Sequence, residues 1–139
     1  MGDEQNIAAF RRVMEEGFGR GNLDAIDEVV SAEFLEHEPG PGLDLGRSGL
    51  KQIITMLRAA FHDLSATIED VIASGDKMCF RVTFSGTNEG ELMGFPPTGR
   101  RATWQAVDIV RFDDDGTLLE HWGTLDRLGV LEQLGHVNV

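Results

Sequence analysis

Met78-Cys79-Phe80-Arg81-Val82-Thr83-Phe84-Ser85 alternates apolar and polar side chains without a break. A period of two places Met78, Phe80, Val82 and Phe84 on one face of a β-strand and the polar set on the other. On its N-terminal side, Ser74-Gly75-Asp76 reads as a turn, preceded by a second alternating run in which Leu64, Ala66 and Ile68 face one way. On its C-terminal side comes a Gly- and Pro-rich loop containing Met93-Gly94-Phe95-Pro96-Pro97-Thr98-Gly99. Beyond it, residues 101–112 read as a long strand, Asp113-Asp114-Asp115-Gly116 as a hairpin turn and residues 117–122 as the partner strand. A short last helix over about 127–134 stops at Gly135.

Before Leu64 the period is helical. Ile7, Phe10, Val13 and Met14 form one stripe, which Phe18 extends if the helix survives Gly17. Asn22 is placed to cap a second helix with Leu23, Ile26, Val29 and Val30 on its buried side. Glu38-Pro39-Gly40-Pro41-Gly42 is irregular, and Ser48 begins a third helix with Leu50, Ile53, Ile54 and Leu57 on one face. Helices followed by an antiparallel meander make an α+β order, and such a sheet must be covered on one face. Curled around the N-terminal helices, it makes a cone whose mouth is a pocket for a small apolar or aromatic molecule.

The chain has 139 residues, no internal repeat and no linker, so residues 1–139 read as a single domain. Twelve basic against 24 acidic residues leave a net charge of −12, a surface that repels phosphate backbones and anionic membranes. Nucleic acid and membrane are therefore not expected partners. Cys79 stands alone, which excludes an internal disulfide. No basic segment followed by an apolar one opens the chain, and no run approaches the ~20 apolar residues of a membrane span. Gly2 is no myristoylation signal with Asn6 where Ser or Thr is required. The expected location is cytoplasmic.

Phosphate loops, Cys/His metal clusters and the Gly-x-Ser-x-Gly elbow are missing from the sequence, which leaves carboxylates, histidines and two tryptophans. In Glu120-His121-Trp122-Gly123-Thr124-Leu125-Asp126, a strand points Glu120 and Trp122 to one face and His121 to the other. If the Trp122 face looks into the cone, a carboxylate lies against an aromatic wall, where desolvation raises its pKa towards the range of a general acid or base. Asp126 would lie near the mouth or floor. It also directly precedes Arg127 and is placed to cap the last helix, a compatible role. Asp108 shares the apolar face of its strand with Trp104, Ala106 and Val110, which requires a partner or a task; Arg81 or Arg111 could pair with it. His37 lies between Glu36 and Glu38, a setting that also suits a plain surface residue. Asp113 to Asp115 lack the spacing of a calcium loop, so no metal is assigned.

Taken in order, several segments resemble the SnoaL-like polyketide cyclase, or ester cyclase, family of the nuclear-transport-factor-like superfamily. They are Gly21-Asn22-Leu23-Asp24, Phe34-Leu35-Glu36-His37, Phe61-His62-Asp63-Leu64, Gly75-Asp76-Lys77, Gly86-Thr87-Asn88-Glu89-Gly90, residues 94–100, Arg111-Phe112, Glu120-His121-Trp122 and Gln133-Leu134-Gly135. The resemblance runs from about Ile7 to Gly135 and implies a cone-shaped barrel, with N-terminal helices packed into a strongly curved antiparallel sheet. It also implies a homodimer and no metal or organic cofactor. Cyclases of this kind close the last ring of an aromatic polyketide methyl ester by an intramolecular aldol condensation. An Asp near their C-terminal end serves as acid/base, and it maps onto Asp126. On that template His37 joins Asp126 in the catalytic set and, with Asn88, orients the substrate. Trp104 and Trp122 supply aromatic walls, and Asp108 and Glu120 line the substrate site. Many relatives carry Gly-Thr-His-x-Gly where this chain has Asn88, which hydrogen-bonds but does not titrate. The superfamily also includes non-catalytic binders, epoxide hydrolases and ketosteroid-isomerase-like enzymes, which stand as alternatives.

Overall fold

Gly17 does not end the first helix. In the computed structural model, which describes residues 2–138, α1 (Gly2–Arg12) runs straight on into a π-helical turn, Val13–Phe18. A side chain at 17 would meet Ile26 at 3.0 Å and Ile54 at 3.2 Å, so the glycine lets two other helices close on this turn. Those helices are α2 (Leu23–Val29) and α3 (Arg47–Ala60). Asn22 occupies the cap position of α2, but its side chain makes no capping hydrogen bond.

The meander follows the alternation. Strands β2 (Ser65–Ser74), β3 (Lys77–Thr87), β4 (Arg101–Phe112) and β5 (Leu118–Leu125) pair antiparallel in sequence order, and α4 (Arg127–Leu134) closes the chain. One strand was not expected. Val30–Glu36 leaves α2 directly as β1 and pairs parallel with β5, so the sheet is mixed, with order β1-β5-β4-β3-β2. Its pattern escapes a period-two search because the register shifts between Val30 and Leu35. The expectation of a wholly antiparallel sheet is corrected at this edge.

β2 and β5 are three strand positions apart, about 14 Å in a flat sheet. Helix α1 touches both, so the sheet bends around it. The inner face carries Met78, Phe80, Val82 and Phe84 of β3 and Ala102, Trp104, Ala106 and Val110 of β4, all buried. Phe10 stacks on Phe80 with ring centres 3.8 Å apart, while Phe18, Phe84, Trp104 and Phe61 form a second aromatic chain. Burying each such ring stabilises the fold by about 2–3 kcal/mol. At the end of α3 the Asp63 carboxylate accepts from the Thr87 amide (2.7 Å) and hydroxyl (2.9 Å), tying the helix terminus to the end of β3. Among the described residues no helix is long and apolar enough to cross a membrane.

Candidate functional site

The β4–β5 register decides which polar groups face inward. Asp108 lies opposite Gly123 and Val110 opposite His121, so Asp108, His121, Gly123 and Leu125 share the inner face. Ile109 lies opposite Trp122 and Arg111 opposite Glu120, which puts Glu120 and Trp122 on the outer face. The last residue of β1, Glu36, is in register with His121. Three elements thus bring Glu36, His121 and Asp108 into one line.

The contacts along that line are short. His121 donates through Nδ1 to Glu36, at 2.6 Å from Oε1 and 2.7 Å from Oε2, and through Nε2 to Asp108 Oδ1 at 2.6 Å. The three side chains keep only 14%, 22% and 11% of their accessible surface. Burial works against the imidazolium, but the hydrogen bonds and charges of Asp108 and Glu36 outweigh it, raising the His121 pKa from 6.5 to about 9. At neutral pH the ring is a cation held between two carboxylates. The line is a proton donor and a proton acceptor in direct contact, mostly shielded from water, which is what acid–base chemistry at carbon requires.

On the other side of the same two strands the pairing is reversed. His37, the residue after Glu36, meets Glu120, the residue before His121, with Nε2 to Oε2 at 2.6 Å. Arg111 donates to the other Glu120 oxygen at 2.5 Å. The His37 and Arg111 hydrogen bonds lower the Glu120 pKa below its ordinary 4.5. Trp122 stacks on His37, with centres 4.6 Å apart and planes 2° from parallel, and Lys77 lies 5.1 Å from the indole centre.

Of the seven residues singled out in the sequence, the structure puts Asp108 in the inner line and Trp104 in the core beside Phe61 and Phe84. The other five lie elsewhere. Glu120 and Trp122 are turned outward by the β5 register, and His37 lies against both of them on that side. Asn88 is fully buried and its amide is consumed internally: it donates to the Gly90 and Ala60 carbonyls and accepts from Thr98, pinning the loop before β4. Asp126 is exposed and caps α4, accepting from the Gly129 amide at 2.9 Å. Its carboxylate points along the helix start and not into the cone. The suggested partners of Asp108 are also replaced: Arg81 pairs with Asp70, Arg111 with Glu120, and His121 takes Asp108.

Neither of the two most marked clefts reaches this line. One, about 420 Å³, runs along α3 past Leu43, Lys51 and Met56, and the other, about 250 Å³, lies between Arg11, Met14 and Ile68. The inner face of the sheet is packed by the aromatic core, and the pocket expected at the mouth of the cone is neither of these two clefts. The polar line lies at its rim, beside Leu125, an inner-face residue that stays 39% exposed. Among the described residues no group of three or more His, Cys, Asp or Glu is arranged to hold a metal ion.

Glu36 and His121 escaped the sequence reading, although a signal existed. The dipeptide Glu-His occurs at 36–37 and again at 120–121. Once residues 30–36 are recognised as a strand beside β5, the two copies must meet, one pair on each face.

Comparison with known proteins gives a consistent answer. The family model for SnoaL-like polyketide cyclase matches residues 8–134. The nogalonic acid methyl ester cyclase of Streptomyces nogalater is 30% identical over 129 residues, 88% of this chain and 92% of that protein. An aklanonic acid methyl ester cyclase of Streptomyces peucetius is 29% identical over 131 residues, 89% of this chain and 87% of its own length. Among solved structures, TsrD from Streptomyces laurentii superposes with a TM-score of 0.84 at 30% identity, covering 98% of this chain and 96% of that one.

Proposed function

Because the chain belongs to the SnoaL-like polyketide cyclase family, we propose that it closes a ring in a small aromatic polyketide ester by intramolecular aldol chemistry, without metal or organic cofactor, using Asp108 and His121. The observation that carries this reading is the Glu36–His121–Asp108 line on the inner face. Asp108 takes the proton from the carbon beside a carbonyl. The enolate so formed attacks a second carbonyl of the same molecule, a carbon–carbon bond forms, and the resulting alkoxide recovers the proton. Nothing is gained or lost. Conjugated rings in the substrate spread the enolate charge, so the protein supplies orientation, a proton shuttle and a dry surface.

His121 has a defined part in that cycle. While Asp108 is ionised, the imidazolium stabilises it. Once Asp108 carries the proton it becomes a poorer acceptor, and the Nε2–H is released towards the developing oxyanion. Glu36 holds the ring through Nδ1 throughout. The test uses the methyl esters of nogalonic and aklanonic acid as probes. A product of unchanged mass and altered retention supports the reading; binding without conversion turns the protein into a non-catalytic binder on the same fold.

The same proposal includes a cytoplasmic homodimer built on the outer face of the sheet. Ile72, Cys79, Ile109 and Trp122 lie in register across four strands as one apolar row, with Ile72 and Ile109 well exposed. Lys77, Arg111 and Glu120 flank it on one side, and the Asp70–Arg81 pair on the other. An apolar strip with charges of both signs at its margins suits a two-fold contact in which one patch meets its copy. Sedimentation at micromolar concentration checks this: the natural protein runs as a dimer and Ile109→Arg as a monomer.

A further inference from the structure

Gly123 is a glycine in the interior of a strand, a position where the missing side chain weakens a sheet unless something requires it. Its backbone is not the reason, since it is not among the residues with positive φ. Space is. A Cβ at this position would lie 2.6 Å from His121 Cε1, 2.8 Å from His121 Nε2 and 2.7 Å from Asp108 Oδ1. The atoms it would strike include both ends of the 2.6 Å hydrogen bond between those residues. Asp108 faces Gly123 directly across the ladder, while His121 is one inner-face step away along β5. The imidazole can therefore reach Asp108 only by lying across the bare backbone of residue 123.

We infer that Gly123 is a positioning residue for the acid–base pair: its missing side chain creates the contact between His121 and Asp108. This rests on the proposed role of that pair. A side chain there would part the two groups, leaving Glu36 as the only carboxylate holding the ring.

The experiment is a titration of His121 by proton NMR in the natural protein and in Gly123→Ala, with the pH profile of turnover recorded alongside. In the variant the His121 midpoint falls from about 9 towards 6.5 by roughly one pH unit or more, and turnover falls with it. An unchanged midpoint in a folded Gly123→Ala protein overturns the inference. Should that variant not fold, the double variant Asp108→Ala with Gly123→Ala decides, because removing the carboxylate opens space at residue 108 and frees the His121 ring to swing away from the new methyl group. Recovery of the folded state supports the conflict at Asp108, and failure of both overturns it. Asp108→Asn separates this inference from the functional reading beneath it. Full turnover in Asp108→Asn ends the catalytic proposal, whereas an inactive Asp108→Asn beside an unaffected Gly123→Ala ends only the role given to glycine.

Discussion

The two faces of the β1–β5 seam carry the same pair of residue types in opposite order. Inside, Glu36 holds His121; outside, Glu120 holds His37, and both contacts are 2.6 Å long. What differs is the company. The inner pair has a second carboxylate, Asp108, and little water, so its histidine is driven up to about 9. In the outer pair the hydrogen bonds from His37 and Arg111 hold the Glu120 carboxyl below its ordinary value, with Lys77 and the Trp122 indole close by. Identical side chains become a shielded histidine between two carboxylates on one face and a carboxylate between a histidine and an arginine, beside an exposed apolar row, on the other. Chemistry follows the face, not the dipeptide.

The sharpest way to break this contrast is to remove one acid from each side. Asp108→Asn should lower turnover by about 10²–10⁴-fold, the usual worth of a positioned base, while Glu120→Gln leaves turnover as it was. Equal losses in the two variants would erase the distinction between the faces.

The next effect is one of stability against pH. His121 titrates near 6.5 when unfolded and about 9 when folded, so the raised value stabilises the native state. That contribution is whole below pH 6.5 and disappears as pH rises through about 9. It amounts to on the order of 3 kcal/mol, and denaturant unfolding at pH 6 and pH 10 should show the loss in the natural protein but not in His121→Asn. The outer pair has the opposite sign: Glu120, with its lowered pKa, contributes above about 4.5 and loses that as pH falls below it. A seam that weakened at the same end of the pH scale in both single variants, His121→Asn and Glu120→Gln, would contradict the two assignments.

The smallest effect belongs to Asp126. As a helix cap on the surface, Asp126→Ala should cost about 1 kcal/mol of stability and leave turnover unchanged. Loss of activity in a fully folded Asp126→Ala protein would move the acid–base centre back to the end of β5.

Much of the architecture was legible in the chain itself. The period-two runs of β3 and β4 declare their faces because one side is buried, and Gly135 marks the end of α4 by adopting φ 84°. The site was less legible. Asp108 stood out as a carboxylate on an apolar face, but the partners suggested for it, Arg81 or Arg111, pair elsewhere and His121 takes their place. His121 lies thirteen residues away and Glu36 85 residues from His121, and they meet only because β1 joins the sheet edge in parallel. Asp126 drew attention by position near the C-terminus, and in the structure its carboxylate caps the start of α4.

By itself the sequence determined the α+β order, the inward faces of β3 and β4 and the acidic, single-cysteine character of the chain. These are local properties, written in spacing and composition. Only the tertiary structure decided which histidine meets which acid and which of them lose their water. Register across non-consecutive strands sets those distances, and a shift of one residue would exchange the two faces.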